Sequence, residues 1–146
     1  MWEIYSLYPV IPVYQENDSV LINHVSYSVM NPSRYDVIAF SKNEDPDHIY
    51  IKRVIALPGE TIQIQNRKIY IDDKELDCGE YIENITLAGV AAAPVTLKKG
   101  EYFVLGDNTE SSEDSRFSNI GNVKKAEIIG KVWFKLFPLS RIGFAK

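Results

Sequence analysis

The sequence predicts a single, mainly β domain with little helix, and three observations support this prediction. Apolar residues alternate or occur in short runs, with turn residues about every eight to twelve positions, as in all-β proteins. The chain has 146 residues, 45% hydrophobic and 25% charged, which suits one soluble globular domain with one core. No apolar stretch approaches the length of a membrane-spanning helix.

The net charge and the scarcity of metal-binding side chains exclude several classes of function. A net charge of −4 without a basic stripe argues against nucleic acid as a partner. The single cysteine, Cys78, excludes a disulfide framework. With only two histidines beside it, a zinc site is not expected. We therefore expect neither a metal nor an organic cofactor.

Five strands are predicted in the first half of the chain, each ended by turn residues. The longest, HIYIKRVIAL, stops at Pro58-Gly59, and proline followed by glycine is typical of a type II turn. Asp72-Asp73 suits a tight hairpin turn. The predicted strands are Ser19–Ile22, Asp36–Phe40, His48–Leu57, Thr61–Ile64 and Lys68–Ile71.

The second half of the chain begins with a segment of different character. Leu76–Leu97 contains AGVAAAPV, which is small and apolar with weak periodicity, so we expect an irregular excursion from the main sheet. Tyr102–Leu105 is predicted to return as a buried strand, and Lys124–Glu127 to form a single helical turn. Lys131–Phe137 is predicted to be the final strand, ended by Pro138.

Lys52 is the first unusual residue, because it lies inside the apolar strand YIKRVIAL. On a half-buried face a charged lysine is costly, and the usual result is a lowered pKa. A neutral lysine can act as a general base. The alternative is that Lys52 points to solvent from an exposed strand face, as most lysines do.

The second unusual stretch is GDNTESSEDSRF, Gly106–Phe117, which follows a predicted buried strand. It holds four acidic residues, three serines and Arg116. One interpretation is an ordinary polar surface loop opened by a Gly-Asp-Asn turn. A calcium-binding loop does not fit, because the central glycine is missing and the ligand spacing is wrong. The remaining interpretation is a functional loop.

Together, a lysine base and a serine-rich loop after neighbouring strands indicate a Ser/Lys hydrolase. KRVIALPGE resembles the lysine box of the type I signal peptidases, and GDNTESSEDSR resembles their GDN…S.DSR box. The stretches RYDVIAF, IGNV, IIGKVWF and PLSRIGF also resemble that family. The resemblance covers nearly the whole chain in the right order, which is more specific than any one short motif.

The resemblance implies a role for each matching residue. Lys52 would be the general base, and Ser112 would orient its amine. Thr109 stands where the family commonly has arginine, a departure that we expect to be tolerated. The residues that would support the lysine or hold the loop are Arg53, Asp107, Asp114 and Arg116, with Arg116 paired to Asp114 or to Asp107.

The nucleophile position is open, because SLYPVIPVYQEND departs from the family's box S-M-x-P-T-L-x-x-G-D. A gap-free alignment on Asp18 puts Pro9 at the nucleophile position. Proline has neither a hydroxyl nor the N–H that would help to stabilise an oxyanion. The chain would then be an inactive homologue that binds secreted or surface proteins. An alignment with three extra residues puts Ser6 there and gives an active enzyme. A third alternative is an altered amino terminus.

The resemblance also implies an architecture and a setting. The sheets would be antiparallel, coiled and partly barrel-like, with a catalytic core at about 1–64 and 98–146 and a variable excursion at about 65–97. The substrate would be the extended signal-peptide segment of secreted preproteins, added as a strand. An anchor absent from this chain would hold the domain at the extracytoplasmic face of the cytoplasmic membrane. A self-cleaving relative of the stress-response repressors is a weaker interpretation, since neither a cleavage site nor a DNA-binding domain is evident.

Overall fold

The computed structural model describes residues 2–6, 19–23, 31–78, 81–82, 84–137 and 143–144, and antiparallel strands dominate them. The predicted, mainly β fold class is therefore confirmed. Two 3-10 turns, Gly89–Ala92 and Lys125–Glu127, are the helical elements of this part of the chain. The strands are β1 (Trp2–Ser6), β2 (Ser19–Asn23), β3 (Val37–Lys42), β4 (Asp45–Ala56), β5 (Thr61–Gln65), β6 (Lys68–Ile71), β7 (Lys74–Glu75), β8 (Val95–Thr96), β9 (Glu101–Leu105), β10 (Val123–Lys124), β11 (Ile128–Phe137) and β12 (Gly143–Phe144).

The strands form two sheets, and β4 connects them. The larger sheet has the order β1-β2-β11-β3-β4-β9-β10, with β12 also paired to β11. The smaller sheet has the order β7-β6-β5-β8. β4 passes from the larger sheet into β5 of the smaller one through the turn at Pro58-Gly59. Gly59 has a φ of 86°, the value that the predicted type II turn requires.

Alternation along the strands produces three apolar clusters. One lies where the two sheets meet, and Ile55 and Phe103 of the larger sheet join Ile62 and Ile69 of the smaller. The other two divide the residues of β3 between them, because successive side chains of a strand point to opposite faces. Val37 and Ala39 enter the cluster of Ile22, Ile51 and Val132, whereas Ile38 and Phe40 enter the cluster of Val54, Tyr102, Val104, Ile120 and Val123.

The predicted strands all form, with some ends displaced. β4 begins at Asp45 instead of His48, and β11 begins at Ile128 instead of Lys131. The strand predicted to be final is followed by β12. Asp36 precedes β3 because its carboxylate closes the turn before the strand, accepting a hydrogen bond of 3.0 Å from the Ser33 N–H.

The predicted tight turns have the expected backbone. Asp72 and Asp73, between β6 and β7, have φ values of 49° and 64°, as a type I′ hairpin turn requires. The single helical turn predicted at Lys124–Glu127 is the 3-10 turn Lys125–Glu127. Within the described ranges, no helix is long and apolar enough to cross a membrane.

Candidate active site

Lys52 lies in the interior of the larger sheet. β4 is paired with β3 on one side and with β9 on the other, and Lys52 stands opposite Ile38. Directly opposite residues of an antiparallel pair share a face, so Lys52 lies on the face of Ile38 and Val54, both of which are fully buried. Lys52 itself is only 6% exposed. The interpretation of Lys52 as a solvent-facing lysine is therefore wrong, because its face of β4 is buried in the folded chain.

The amine of Lys52 meets a hydroxyl of the Gly106–Phe117 loop. Lys52 Nζ donates a hydrogen bond of 2.8 Å to Ser112 Oγ, and both residues are buried. Burial lowers the pKa of Lys52, because the charged amine loses its hydration, and this outweighs the opposing effect of nearby carboxylates, of which Asp114 is the strongest. A buried amine with a lowered pKa, held by a hydroxyl, has the properties of a general base.

A buried ion pair closes the loop that carries Ser112. Arg116 Nε and Nη2 lie 2.8 and 2.9 Å from the two oxygens of Asp114. The same carboxylate accepts hydrogen bonds from the backbone N–H groups of Gly106 and Arg116, at 3.1 and 3.2 Å. Asp114 and Arg116 are 0% and 1% exposed. The ends of the loop are thus joined through one carboxylate, which fixes the path of the chain through Ser112.

Arg116 also connects the loop to the irregular segment before β8. Its Nη2 donates to the carbonyl of Thr109 at 2.7 Å, and its Nη1 donates to the carbonyl of Leu87 at 3.1 Å. The Arg116 carbonyl accepts the N–H of Val90 at 2.9 Å. Thr109, which stands where the sequence comparison above expects an arginine, donates a hydrogen bond of 3.1 Å from Oγ1 to the Asn84 carbonyl. The excursion therefore packs on the loop through specific hydrogen bonds.

A second ion pair joins the loop to β4. Arg53 Nε and Nη2 donate to the two carboxylate oxygens of Asp107 at 2.8 and 2.7 Å, a bidentate arrangement. The remaining guanidinium nitrogen, Nη1, donates to the Tyr35 carbonyl at 2.9 Å. The sequence left the partner of Arg116 open. The structure pairs Arg116 with Asp114, and Asp107 with Arg53.

Replacing Gly106 by alanine is expected to separate Lys52 from Ser112. A Cβ at position 106 would overlap both Ser112 Oγ and Ser112 Cβ. We expect the free energy of unfolding to fall by about 1–3 kcal/mol, which is typical of overpacking. Urea unfolding of Gly106→Ala, with and without Ser112→Gly, measures the coupling, because removal of the Ser112 side chain should remove most of the cost. Equal costs in both backgrounds would show that the clash does not occur.

The two candidates for the nucleophile position, Ser6 and Pro9, lie at and beyond the end of β1. Ser6 ends β1, and its backbone is paired with Ser19 of β2. In the strand order, β2, β11 and β3 lie between β1 and β4. The side chain of Ser6 and the whole of Pro9 lie outside the described residues. The choice between Ser6 and Pro9 therefore remains a sequence-based prediction.

Several contacts at the site were not foreseen from the sequence. The sequence indicates only a turn opening at Gly106, whereas in the structure the absence of a side chain at Gly106 leaves room for Ser112. The rings of Tyr35 and Tyr81 stack beside Arg53, and no sequence pattern indicated this. No group of acidic, histidine and cysteine side chains in the described part of the chain is suited to hold a metal ion.

Comparison with known proteins shows that the chain is similar to bacterial signal peptidases. A family model described as signal peptidase, peptidase S26, matches residues 5–137. Signal peptidase I of Bacillus caldolyticus is 33% identical over 147 residues, which cover 92% of this chain and 78% of the relative. Probable signal peptidase I-2 of Synechocystis is 31% identical over 139 residues, and here the match covers 90% of this chain but only 61% of the relative.

A solved structure supports the same relationship at the level of the fold. The crystal structure of a signal peptidase I from Enterococcus faecalis is 32% identical to this chain, with a TM-score of 0.54. The match covers 70% of this chain and 97% of the solved one. The two-sheet architecture described above is therefore similar to that of a solved bacterial enzyme.

Proposed function

The chain belongs to the signal peptidase family, peptidase S26, and from that premise we propose that it is a serine endopeptidase that removes signal peptides from secreted preproteins with a Ser/Lys dyad. The observation that carries the proposal is the buried Lys52 amine, 2.8 Å from Ser112 Oγ. The relatives named above are signal peptidases, so the similarity supports an enzyme over a non-enzymatic homologue.

In the proposed reaction Lys52 acts first as a base and then as an acid. The neutral amine takes the proton of the nucleophilic serine while the serine oxygen bonds to the carbonyl carbon of the scissile peptide. The tetrahedral intermediate collapses, the C–N bond breaks, and the Lys52 ammonium gives its proton to the leaving amine. Water then attacks the acyl-serine with Lys52 again as base, which releases the signal peptide with a free carboxylate and regenerates the serine.

The surrounding residues would keep Lys52 neutral and correctly aimed. Ser112 Oγ accepts one Lys52 N–H, so the rotation of the amine is restricted and its lone pair can face the nucleophile. The two ion pairs, Arg53 with Asp107 and Arg116 with Asp114, hold the loop in place beside β4 and β9. Positioning of this kind matters because small displacements of a catalytic group cost large factors in rate.

The proposed substrate is the extended segment at the end of a signal peptide. An extended peptide can add as a strand to a sheet edge, where backbone hydrogen bonds supply affinity and small pockets supply specificity. We place the domain at the extracytoplasmic face of the cytoplasmic membrane, held by an amino-terminal anchor, as the resemblance implies. No metal or organic cofactor takes part in the proposed steps.

Cleavage of a preprotein by the parent chain, Ser6→Ala and Lys52→Ala tests the proposal and the nucleophile together. The assay includes lipid or detergent and is repeated with an anchored form. We expect the parent to cleave and both variants to be inactive, because a dyad fails when either member is removed. Ser111→Ala is the matched control, since Ser111 is exposed in the same loop as Ser112.

Two other outcomes would change the assignment. Activity that survives Ser6→Ala but not Lys52→Ala would mean that another hydroxyl is the nucleophile. Silence of the parent both with and without a fused membrane anchor would support the inactive homologue, with Pro9 at the nucleophile position.

A further inference from the structure

We propose that Tyr81, held in place by Tyr35, is a positioning residue for Lys52 and acts through Arg53 and Asp107. The kinetic part of this inference rests on the proposed function, whereas the structural part does not. Tyr81 belongs to none of the stretches that resemble the family, and Tyr35 lies in RYDVIAF, outside the lysine box and the GDN…S.DSR box. Both lie outside the loop and outside the lysine strand.

Tyr81 controls the orientation of the Arg53 guanidinium. The guanidinium carbon lies 4.5 Å from the centroid of the Tyr81 ring, a cation–π contact. The in-plane donors of the same group are used by Asp107 and by the Tyr35 carbonyl. Arg53 is thus fixed both in its plane, by hydrogen bonds, and across its plane, by an aromatic face. At 2% exposure it has little contact with water.

Tyr35 holds Tyr81 at a cost to its own backbone. Its φ is 70°, in the left-handed region that a bulky side chain rarely occupies. Its ring stacks on Tyr81 with centroids 5.0 Å apart, and its hydroxyl donates to the Asp77 carbonyl at 3.0 Å. Its N–H donates to the Val54 carbonyl at 2.8 Å. Disfavoured conformations persist where surrounding contacts over-determine them, often beside functional sites.

The chain of contacts leads directly to the lysine. Arg53 follows Lys52 in β4, and Asp107 follows Gly106, the residue against which Ser112 packs. The Arg53–Asp107 pair therefore sets the separation between β4 and the loop, and with it the contact between Lys52 Nζ and Ser112 Oγ. A ring that immobilises Arg53 also immobilises this contact.

Loss of the ring has a defined effect on the charge state of Lys52. The charged groups that act on the Lys52 amine are Asp114, Glu113, Arg116 and Asp107, all from the loop. A mobile Arg53 would neutralise Asp107 less completely and would admit water to Lys52. Both changes favour the ammonium form, so the pKa of Lys52 would rise towards its ordinary value.

The first test is the titration of Lys52 by NMR at its ε-carbon, which needs no enzymatic activity. For Tyr81→Leu we expect the pKa of Lys52 to rise by at least about half a unit, whereas Tyr81→Phe, which keeps the ring, should match the parent. Leu76→Ala is the matched control, because Leu76 packs on the same apolar cluster as Tyr35 and Tyr81. It should lower Tm without moving the titration.

Kinetics provide the second readout. For Tyr81→Leu we expect kcat to fall about five- to twentyfold with KM within twofold, because the base is displaced and the substrate contacts are not. The acidic limb of the pH profile should move to higher pH, and the defect should shrink at alkaline pH. If Tyr81→Leu does not fold, Tyr35→Gly replaces it in both tests. Glycine tolerates the positive φ at this position and removes the ring that stacks on Tyr81, so the same shift in the titration of Lys52 is expected.

An unchanged Lys52 titration in Tyr81→Leu, or an equal shift in Leu76→Ala, would overturn the positioning role. A parent that cleaves no preprotein leaves the NMR test intact, so failure of the proposed function is distinguishable from failure of this inference.

Discussion

Replacing Lys52 by methionine is expected to lower the rate of preprotein cleavage by about 10²–10⁴-fold, the usual contribution of a general base. Methionine has a similar length and no titratable amine, so the cavity in the sheet stays filled. Lys74→Met is the control, because Lys74 is exposed in β7. The measurement is the single-turnover rate for both variants. More than a tenth of the parent rate in Lys52→Met would mean that another group is the base.

The same variant is expected to lose a pH dependence of stability. The pKa of Lys52 is lowered in the folded protein from an ordinary value of 10.5. Between the lowered value and 10.5 the unfolded chain binds more protons than the folded one, so the free energy of unfolding of the parent rises with pH in that window. Below the window burial of the charged amine opposes folding. Urea unfolding of both proteins across alkaline pH tests this. The free energy of unfolding of the parent should rise with pH relative to that of Lys52→Met, which has no amine to titrate at this position.

Asp114→Asn is expected to have the largest effect on stability, about 3–5 kcal/mol, the range for breaking a buried ion pair. The change leaves the Arg116 guanidinium, 1% exposed, without a charged partner. It also weakens the contact with the Gly106 N–H that closes the loop. We expect the midpoint of urea unfolding to fall sharply, and the activity of the remaining folded protein to fall with it as Ser112 moves.

Glu75→Gln provides the control for that prediction. Glu75 and Lys68 form an ion pair at 2.9 Å whose side chains are about half exposed, 51% and 52%. Exposed pairs contribute little, so the change should leave the free energy of unfolding almost unchanged. A cost below about 1 kcal/mol for Asp114→Asn would show that the carbonyls of Thr109 and Leu87 suffice to hold Arg116.

Local patterns accounted for most of the strands. The alternation in SVLIN and TIQIQ, the apolar run of β4 and the turn residues after them act over a few neighbours, so they could be interpreted without tertiary information. The ends of β4 and β11 differed, because strand length depends on the partner strand and not only on the residues within it. The ordered boxes around Lys52 and Ser112 identified the family for the same local reason.

Two alternatives at the site depended on packing between distant segments. From sequence, Lys52 could face solvent or the interior, and Arg116 could pair with Asp107 or Asp114. Lys52 is buried because other parts of the folded chain cover its face of β4, and Ser112, its partner, is 60 residues away along the chain. The choice of ion pairs followed from the register of β4 and β9, which puts Arg53 opposite Leu105 and so within reach of Asp107.

The sequence by itself determined most of the strands, the turns after β4 and β6, and the family, because these depend on residue types at short, fixed spacings. The tertiary structure decided the charge environment of Lys52, the pairing of each arginine and the stacking of Tyr81 on Tyr35. Those properties depend on which surfaces meet when the strands pair, and desolvation acts on a side chain only after its neighbours have covered it.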